Sequence, residues 1–84
     1  MYQIVIERRA EKDMDRLPQA VFRRVSEAIM GLASNPRPPG CRKLVGGDED
    51  WRIRVGDYRV IYQIADTLRI VRVNRVRHRR EVYR

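Results

Sequence analysis

An α+β fold is what this chain of 84 residues predicts: a small antiparallel sheet, in the order β-α-α-β-β-β, with an N-terminal helical hairpin on one face. Three observations carry it. A strand-forming run opens the chain, two stretches of helical apolar spacing follow, and the C-terminal half alternates apolar and basic residues around Gly56-Asp57. The length suits one domain, residues 1–84, with a single modest core.

The elements follow in order. Tyr2, Ile4 and Ile6 alternate with Gln3 and Val5, as a first strand requires. From Glu7 to Leu17 the apolar positions Ala10, Met14 and Leu17 recur at helical spacing among charged residues, which predicts a short amphipathic helix. Pro18 fits the first turn of a second helix, where its missing N–H has no intrahelical partner to lose. Val21, Val25, Ala28, Ile29 and Leu32 form the apolar stripe of that helix, and Asn35-Pro36 stops it. Residues 35–49 are rich in Pro and Gly and read as a loop with a short extended piece at Lys43 to Val45.

The segment from Trp51 to Tyr62 is the most specific. Gly56 in the first central position of a two-residue turn predicts a type II′ hairpin, so Val55 stands opposite Tyr58. Counting outward pairs Ile53 with Val60 and Trp51 with Tyr62 on an apolar face, and Arg54 with Arg59 and Arg52 with Ile61 on the other. Like charges directly opposite destabilise a sheet, and an anion is the natural remedy. Asp66-Thr67 reads as the next turn, with two residues, before a strand over residues 69–76. Tyr62 then faces Val71, Val60 faces Val73, and Arg72 and Asn74 join the basic face.

The net charge is +8, and it is unevenly placed: residues 42–84 hold twelve basic against six acidic side chains, residues 1–41 seven against five. Seventeen of the nineteen basic residues are Arg, whose planar fork suits bidentate phosphate recognition. A nucleic acid or other polyanion is the partner this implies. Arg8, Arg9, Arg16, Arg23 and Arg24 have acidic neighbours and read as solvated helix faces or protein contacts. No run approaches the roughly 18 apolar residues that span a bilayer, and the N-terminus lacks the order of a secretory leader, so a cytoplasmic protein with no membrane contact is expected. One Cys, Cys41, and one His argue against an internal disulfide and against a zinc site of protein ligands alone; no cofactor or metal is expected.

The hairpin Asp50-Trp-Arg-Ile-Arg-Val-Gly-Asp-Tyr-Arg-Val-Ile-Tyr-Gln-Ile64, followed by Arg77-His-Arg-Arg-Glu-Val-Tyr83, resembles the RelE/ParE superfamily of bacterial and archaeal toxins. The resemblance spans essentially the whole chain, and its specificity lies in the last 35 residues. It implies a type II toxin neutralised by a co-expressed antitoxin, expected to be acidic here. RelE-type members enter the ribosomal A site and cut messenger RNA; ParE-type members act on DNA gyrase and generally lack the nuclease residues. Arg52 and Arg54 stand where RelE-type toxins carry basic residues on the second strand. Arg59 matches the arginine of the Tyr-Arg pair, Arg79 that of the C-terminal basic motif, His78 the basic position before it, and Tyr83 the tyrosine of Glu-Val-Tyr. Arg77 replaces a frequent glycine, and the terminal helix of some members is not expected after Tyr83.

The chemistry implied is metal-independent endoribonuclease action, in which the RNA 2′-hydroxyl attacks the adjacent phosphate. Arg59 and Arg79 are expected to stabilise the phosphoryl oxygens and Arg52 and Arg54 to position the strand, because arginine stays protonated and is a poor base. Proton transfer then falls to His78, Tyr83, a ribosomal group or solvent. Arg42, Lys43, Arg72, Asn74 and Arg77 complete the expected RNA-binding set.

Overall fold

The computed structural model describes residues 1–44 and 50–82, the side chains of 81 and 82 excepted. Five strands, β1 (Gln3–Ile6), β2 (Arg42–Lys43), β3 (Asp50–Val55), β4 (Tyr58–Ala65) and β5 (Ile70–His78), form one sheet in the order β1-β5-β4-β3-β2. Helices α1 (Arg8–Asp15) and α2 (Gln19–Gly31) lie between β1 and β2 in the chain, and a short α3 (Arg79–Val82) follows β5. The α+β class and the helical pair are as expected. The sheet is mixed rather than wholly antiparallel, because β1 adds to β5 in parallel, with Gln3 opposite Ile70 and Ile6 opposite Val73. The extended piece of the loop is Arg42–Lys43; Val45 and the Gly46 to Glu49 run lie outside the described residues.

Each helix boundary has a local cause. Leu17 precedes proline, a position where helical backbone is disfavoured, and α1 ends two residues earlier at Asp15. Pro18 sits just outside α2 with extended backbone, and its carbonyl accepts from Phe22 N–H at 2.8 Å, opening the helix. The apolar stripes meet the sheet as read: α1 packs on β5 and α2 on β3. The core joins Ala10, Met14, Val25, Ile29 and Leu32 to Ile53, Val60, Tyr62, Ile64, Val71, Val73 and Val76. Tyr62 is fully buried, and its hydroxyl donates to the Pro36 carbonyl at 2.7 Å, so the buried polar atom is satisfied. Burial pushes that phenol well above its ordinary pKa.

The β3–β4 register is the expected one from Trp51↔Tyr62 to Val55↔Tyr58. Gly56 has φ +59° and Asp57 keeps a negative φ, the combination a II′ turn needs. The β4–β5 register departs from expectation. The connection spans residues 66–69, with Arg69 at φ +55°, so Tyr62 pairs with Val73 and Ile64 with Val71. Between Ile61 and Tyr62 the register then shifts by one: Ile61 faces Arg75 and Asn74 is the extra residue of a β-bulge. The bulge reverses the alternation, so Val76 continues the buried row begun by Val71 and Val73.

Asp13 of α1 holds the bulged segment. β1 ends opposite Val73, and beyond it the free edge of β5 meets the Asp13 carboxylate, which accepts from Val76 N–H at 3.0 Å and from Arg75 Nε and Nη2 at 2.8 and 3.1 Å. Burial works to raise the Asp13 pKa, but the hydrogen bonds from Arg75 and Val76 outweigh it and hold the carboxyl below its ordinary value. A second network ties the 35–41 loop to the β4–β5 turn. Arg37 forks onto Asp66 at 2.9 and 3.2 Å and lies over the Trp51 ring at 5.0 Å, while Tyr2 Oη donates to Asp66 at 2.7 Å.

Two stability predictions follow from these carboxylates. Asp13→Ala leaves the Val76 N–H and the Arg75 guanidinium without their acceptor and should cost about 2 kcal/mol in urea unfolding, with Asp13→Asn milder because it still accepts one hydrogen bond; equal stability of all three proteins would contradict the role given to Asp13. Hydrogen bonds from Arg37 and then Tyr2 lower the Asp66 pKa to about 2 from an ordinary 3.8. A depressed folded-state pKa stabilises above the unfolded value and ceases to as the group protonates. The gap in melting temperature between wild type and Asp66→Asn should therefore be full above about pH 4 and close as pH falls toward 2; a gap independent of pH would refute this.

Candidate nucleic-acid interface

The sheet's helix-free side is built in rungs. Arg54 of β3 faces Arg59 of β4, which faces Arg77 of β5. The neighbouring rung runs Arg42, Arg52, Ile61, Arg75 from β2 to β5. Adjacent backbones in such rungs are only about 5 Å apart, so several cations are imposed on one another by the ladder itself. Acidic partners are supplied around the margin: Glu7 to Arg72 at 3.1 Å, Asp13 to Arg75 at 2.8 Å, Asp66 to Arg37 at 2.9 Å. Among the described residues no ion pair reaches Arg42, Arg52 or Arg54.

The hairpin tip and α3 turn one end of this face into a cleft of about 320 Å³ lined by Arg54, Gly56, Asp57, Arg59 and Arg79. Arg79 N–H donates to the Asp57 carbonyl at 2.7 Å, which extends the sheet pairing one residue beyond β5 and fixes where α3 begins. The Arg79 guanidinium, at 4.0 Å from the Asp57 carboxylate, stays largely exposed. Arg59 does not stand on an open surface as expected. It is 2% exposed, on a rung between Arg54 and Arg77 and on a strand that α3 approaches. A guanidinium so withdrawn from water acts on a nearby charge with less screening than a surface arginine does.

The expected site residues divide between the two sides of the sheet. Arg54, Arg59 and Arg79 share the cleft; Arg52 stands one rung away and Arg42 beyond it. Lys43 pairs with Trp51 and so stands on the side opposite Arg42. Arg72 is engaged with Glu7, and Asn74 is the half-buried bulge residue rather than a rung partner of Arg59. His78 faces Tyr58 across the ladder, on the helix side, with the rings edge-to-face at 5.2 Å, so it does not share the arginine cleft. Tyr83 lies outside the described residues.

The sequence reading left out Asp57 and Asp13, which position Arg79 and Arg75. Asp13 had a signal: positions 10, 13, 14 and 17 share one helical face, so a carboxylate there is aimed inward with Ala10, Met14 and Leu17. Asp57 had none beyond its place in the turn, since its neighbour from β5 depends on the bulged register.

Comparisons with known proteins bear on the family and the fold. The family model of the ParE toxin of type II toxin–antitoxin systems matches residues 4–83. RelE1 of Methanocaldococcus jannaschii is 30% identical over 86 residues, covering 99% of this chain and 96% of the relative. Among solved structures, RelE in the archaeal RelE–RelB complex from Pyrococcus horikoshii superposes with a TM-score of 0.82 at 30% identity, covering 93% of this chain and 94% of that one. The isolated E. coli RelE toxin gives a TM-score of 0.80 at 28% identity over 99% and 92% of the two chains. Matched along its length by family, relative and fold, the chain belongs to the RelE/ParE superfamily of type II toxin–antitoxin toxins.

Proposed function

We propose that this chain is a RelE-type toxin, a ribosome-dependent endoribonuclease that cuts messenger RNA in the A site by attack of the 2′-hydroxyl on the adjacent phosphate, leaving a 2′,3′-cyclic phosphate. The observation that carries the reading is the joint lining of one cleft by Arg54, Arg59 and Arg79. In the proposed mechanism Arg59 and Arg79 hold the phosphoryl oxygens and offset the charge that builds on them in the transition state. Arg52 and Arg54, with Arg42 beyond, draw the strand across the rungs and bend it into line. None of these groups serves as a base, since a guanidinium keeps its proton in proteins. Proton transfer is assigned to Tyr83, whose phenol would need its cationic neighbours in sequence to ionise, or to a ribosomal group or solvent. A toxin so equipped cuts free RNA slowly.

An acidic antitoxin is the proposed protein partner. The relative from Pyrococcus horikoshii is solved with RelB bound. Arg42, Arg52 and Arg54, which no ion pair reaches among the described residues, and the sheet edges at β1 and β2 offer charge and backbone for such a segment. A second reading, inhibition of DNA gyrase without nuclease action, has one observation in its favour: the matching family model is that of ParE.

Arg54→Ala and Arg79→Ala should each lower cleavage of a translated message by about 10²- to 10³-fold while the melting temperature stays near that of the wild type; full growth arrest and full cleavage in both variants would overturn the assignment. Mapping of RNA ends after expression separates the two readings. Ends confined to translated transcripts support the nuclease, whereas intact RNA with loss of gyrase supercoiling supports the ParE-type reading.

A further inference from the structure

Across the sheet from the arginine cleft, the turn after α1 and the end of β5 enclose a second cleft of about 460 Å³. Its walls are Asp13, Arg16, Leu17, Tyr58, Arg75, Val76, Arg77 and His78, of which four features matter. Tyr58 and His78 meet edge-to-face at 88°, an arrangement that sets the orientation of both rings, and both rings line the cleft. Leu17 adds apolar surface beside them. Asp13 and Arg75 are bonded to one another, so their charges largely cancel and the Asp13 oxygens are already accepting. Arg16, which no ion pair reaches among the described residues, then places a cation at the rim of the cleft.

A volume within the roughly 300–1,000 Å³ of small-ligand sites, an aromatic wall and a cation at its rim match one unpaired nucleotide, with its base against the rings and its phosphate beside Arg16. The cleft is also next to the first. Arg77 stands opposite Arg59 in the ladder and yet lines this second cleft, and β5 alone separates the two at its C-terminal end, because β1 stops opposite Val73. We propose that this cleft is a second RNA subsite, holding a nucleotide of the same strand that flanks the phosphate in the arginine cleft, with His78 and Tyr58 as base-contacting residues and Arg16 as a phosphate contact. The inference deepens the RNA-cleaving reading and rests on it. It removes His78 from proton transfer and Arg16 from the solvated helix face.

The test measures equilibrium binding of 2′-O-methyl RNA, which lacks the attacking hydroxyl, as a dinucleotide and as a hexanucleotide, to the full-length protein. Arg16→Ala should weaken the hexanucleotide by roughly tenfold and leave the dinucleotide unchanged, with the log–log salt slope shallower by about 0.7. His78→Ala should weaken the hexanucleotide by a similar factor, and His78→Phe should restore both binding and cleavage, which a proton-transfer or purely charged histidine would not allow. Hexanucleotide affinity unaffected by Arg16→Ala and His78→Ala, or both lengths weakened alike, overturns the subsite. Failure of Arg54→Ala to weaken either length instead refutes the arginine cleft itself, so the two readings fail separately.

Discussion

The β-bulge at Asn74, pinned by Asp13, is the constraint on which the functional surface depends. Val71 and Val73 fill the core from β5, and strict alternation would send Arg75 and Arg77 in after them, against Val60 and Tyr62. One extra residue exchanges the two sets: Val76 enters the core and the arginines move to the open side. A bulge leaves backbone groups outside the regular pairing, and here the bulged stretch lies past the end of β1. Asp13 takes the place of the missing strand, binding the Val76 N–H and the Arg75 side chain together. The helix carboxylate, the strand register and the position of Arg79 beside Asp57 are therefore one coupled arrangement.

That arrangement also sorts the charges. Carboxylates pair with arginines at the rim of the sheet, from Glu7 after β1, from α1 and from the turns, while no ion pair reaches Arg42, Arg52 or Arg54 among the described residues. A chain selected for stability alone would place acids within the rungs, since opposed cations on neighbouring strands raise the free energy of the sheet. The accumulated potential is instead available to an external anion. Burial of Arg59 bears on the same cleft, because a charge that approaches a guanidinium withdrawn from water feels it with less screening than at the open surface.

What could be read in the residues follows the range of the interactions. The II′ turn and the β3–β4 register are local, dictated by Gly56 and by the alternation on either side, and every pair from Trp51↔Tyr62 to Val55↔Tyr58 was legible. The helix stripes were legible for the same reason. The parallel pairing of β1 with β5 joins residues nearly at opposite ends of the chain and leaves no local mark. The β4–β5 turn was misjudged because Arg69 adopts a positive φ without the Gly or Asn that normally announces one. From that misjudged length came the wrong rung for Arg72 and Asn74. The side taken by His78 needed the bulge as well, and the bulge in turn needed Asp13, whose place on the inner face of α1 was the overlooked clue.

The division of the basic residues by the sheet bears on how so small a protein could act on RNA. An arginine cleft supplies charge and geometry but no proton acceptor, so on the reading proposed above the substrate contributes its own nucleophile and the toxin contributes a conformation. Bending one nucleotide step into line needs the strand held on both sides of the scissile phosphate, since a grip at a single point leaves the sugar free to rotate. On that reading the rungs of β2 and β3 would hold one side. At the end of β5, a single strand thick and carrying Arg77 on the rung and His78 on the reverse, a strand leaving the cleft would meet aromatic surface on the far side of the sheet. The same bulge that brings the arginines to one side therefore sets the His78 ring against Tyr58 on the other, and a change that straightened β5 would undo both at once.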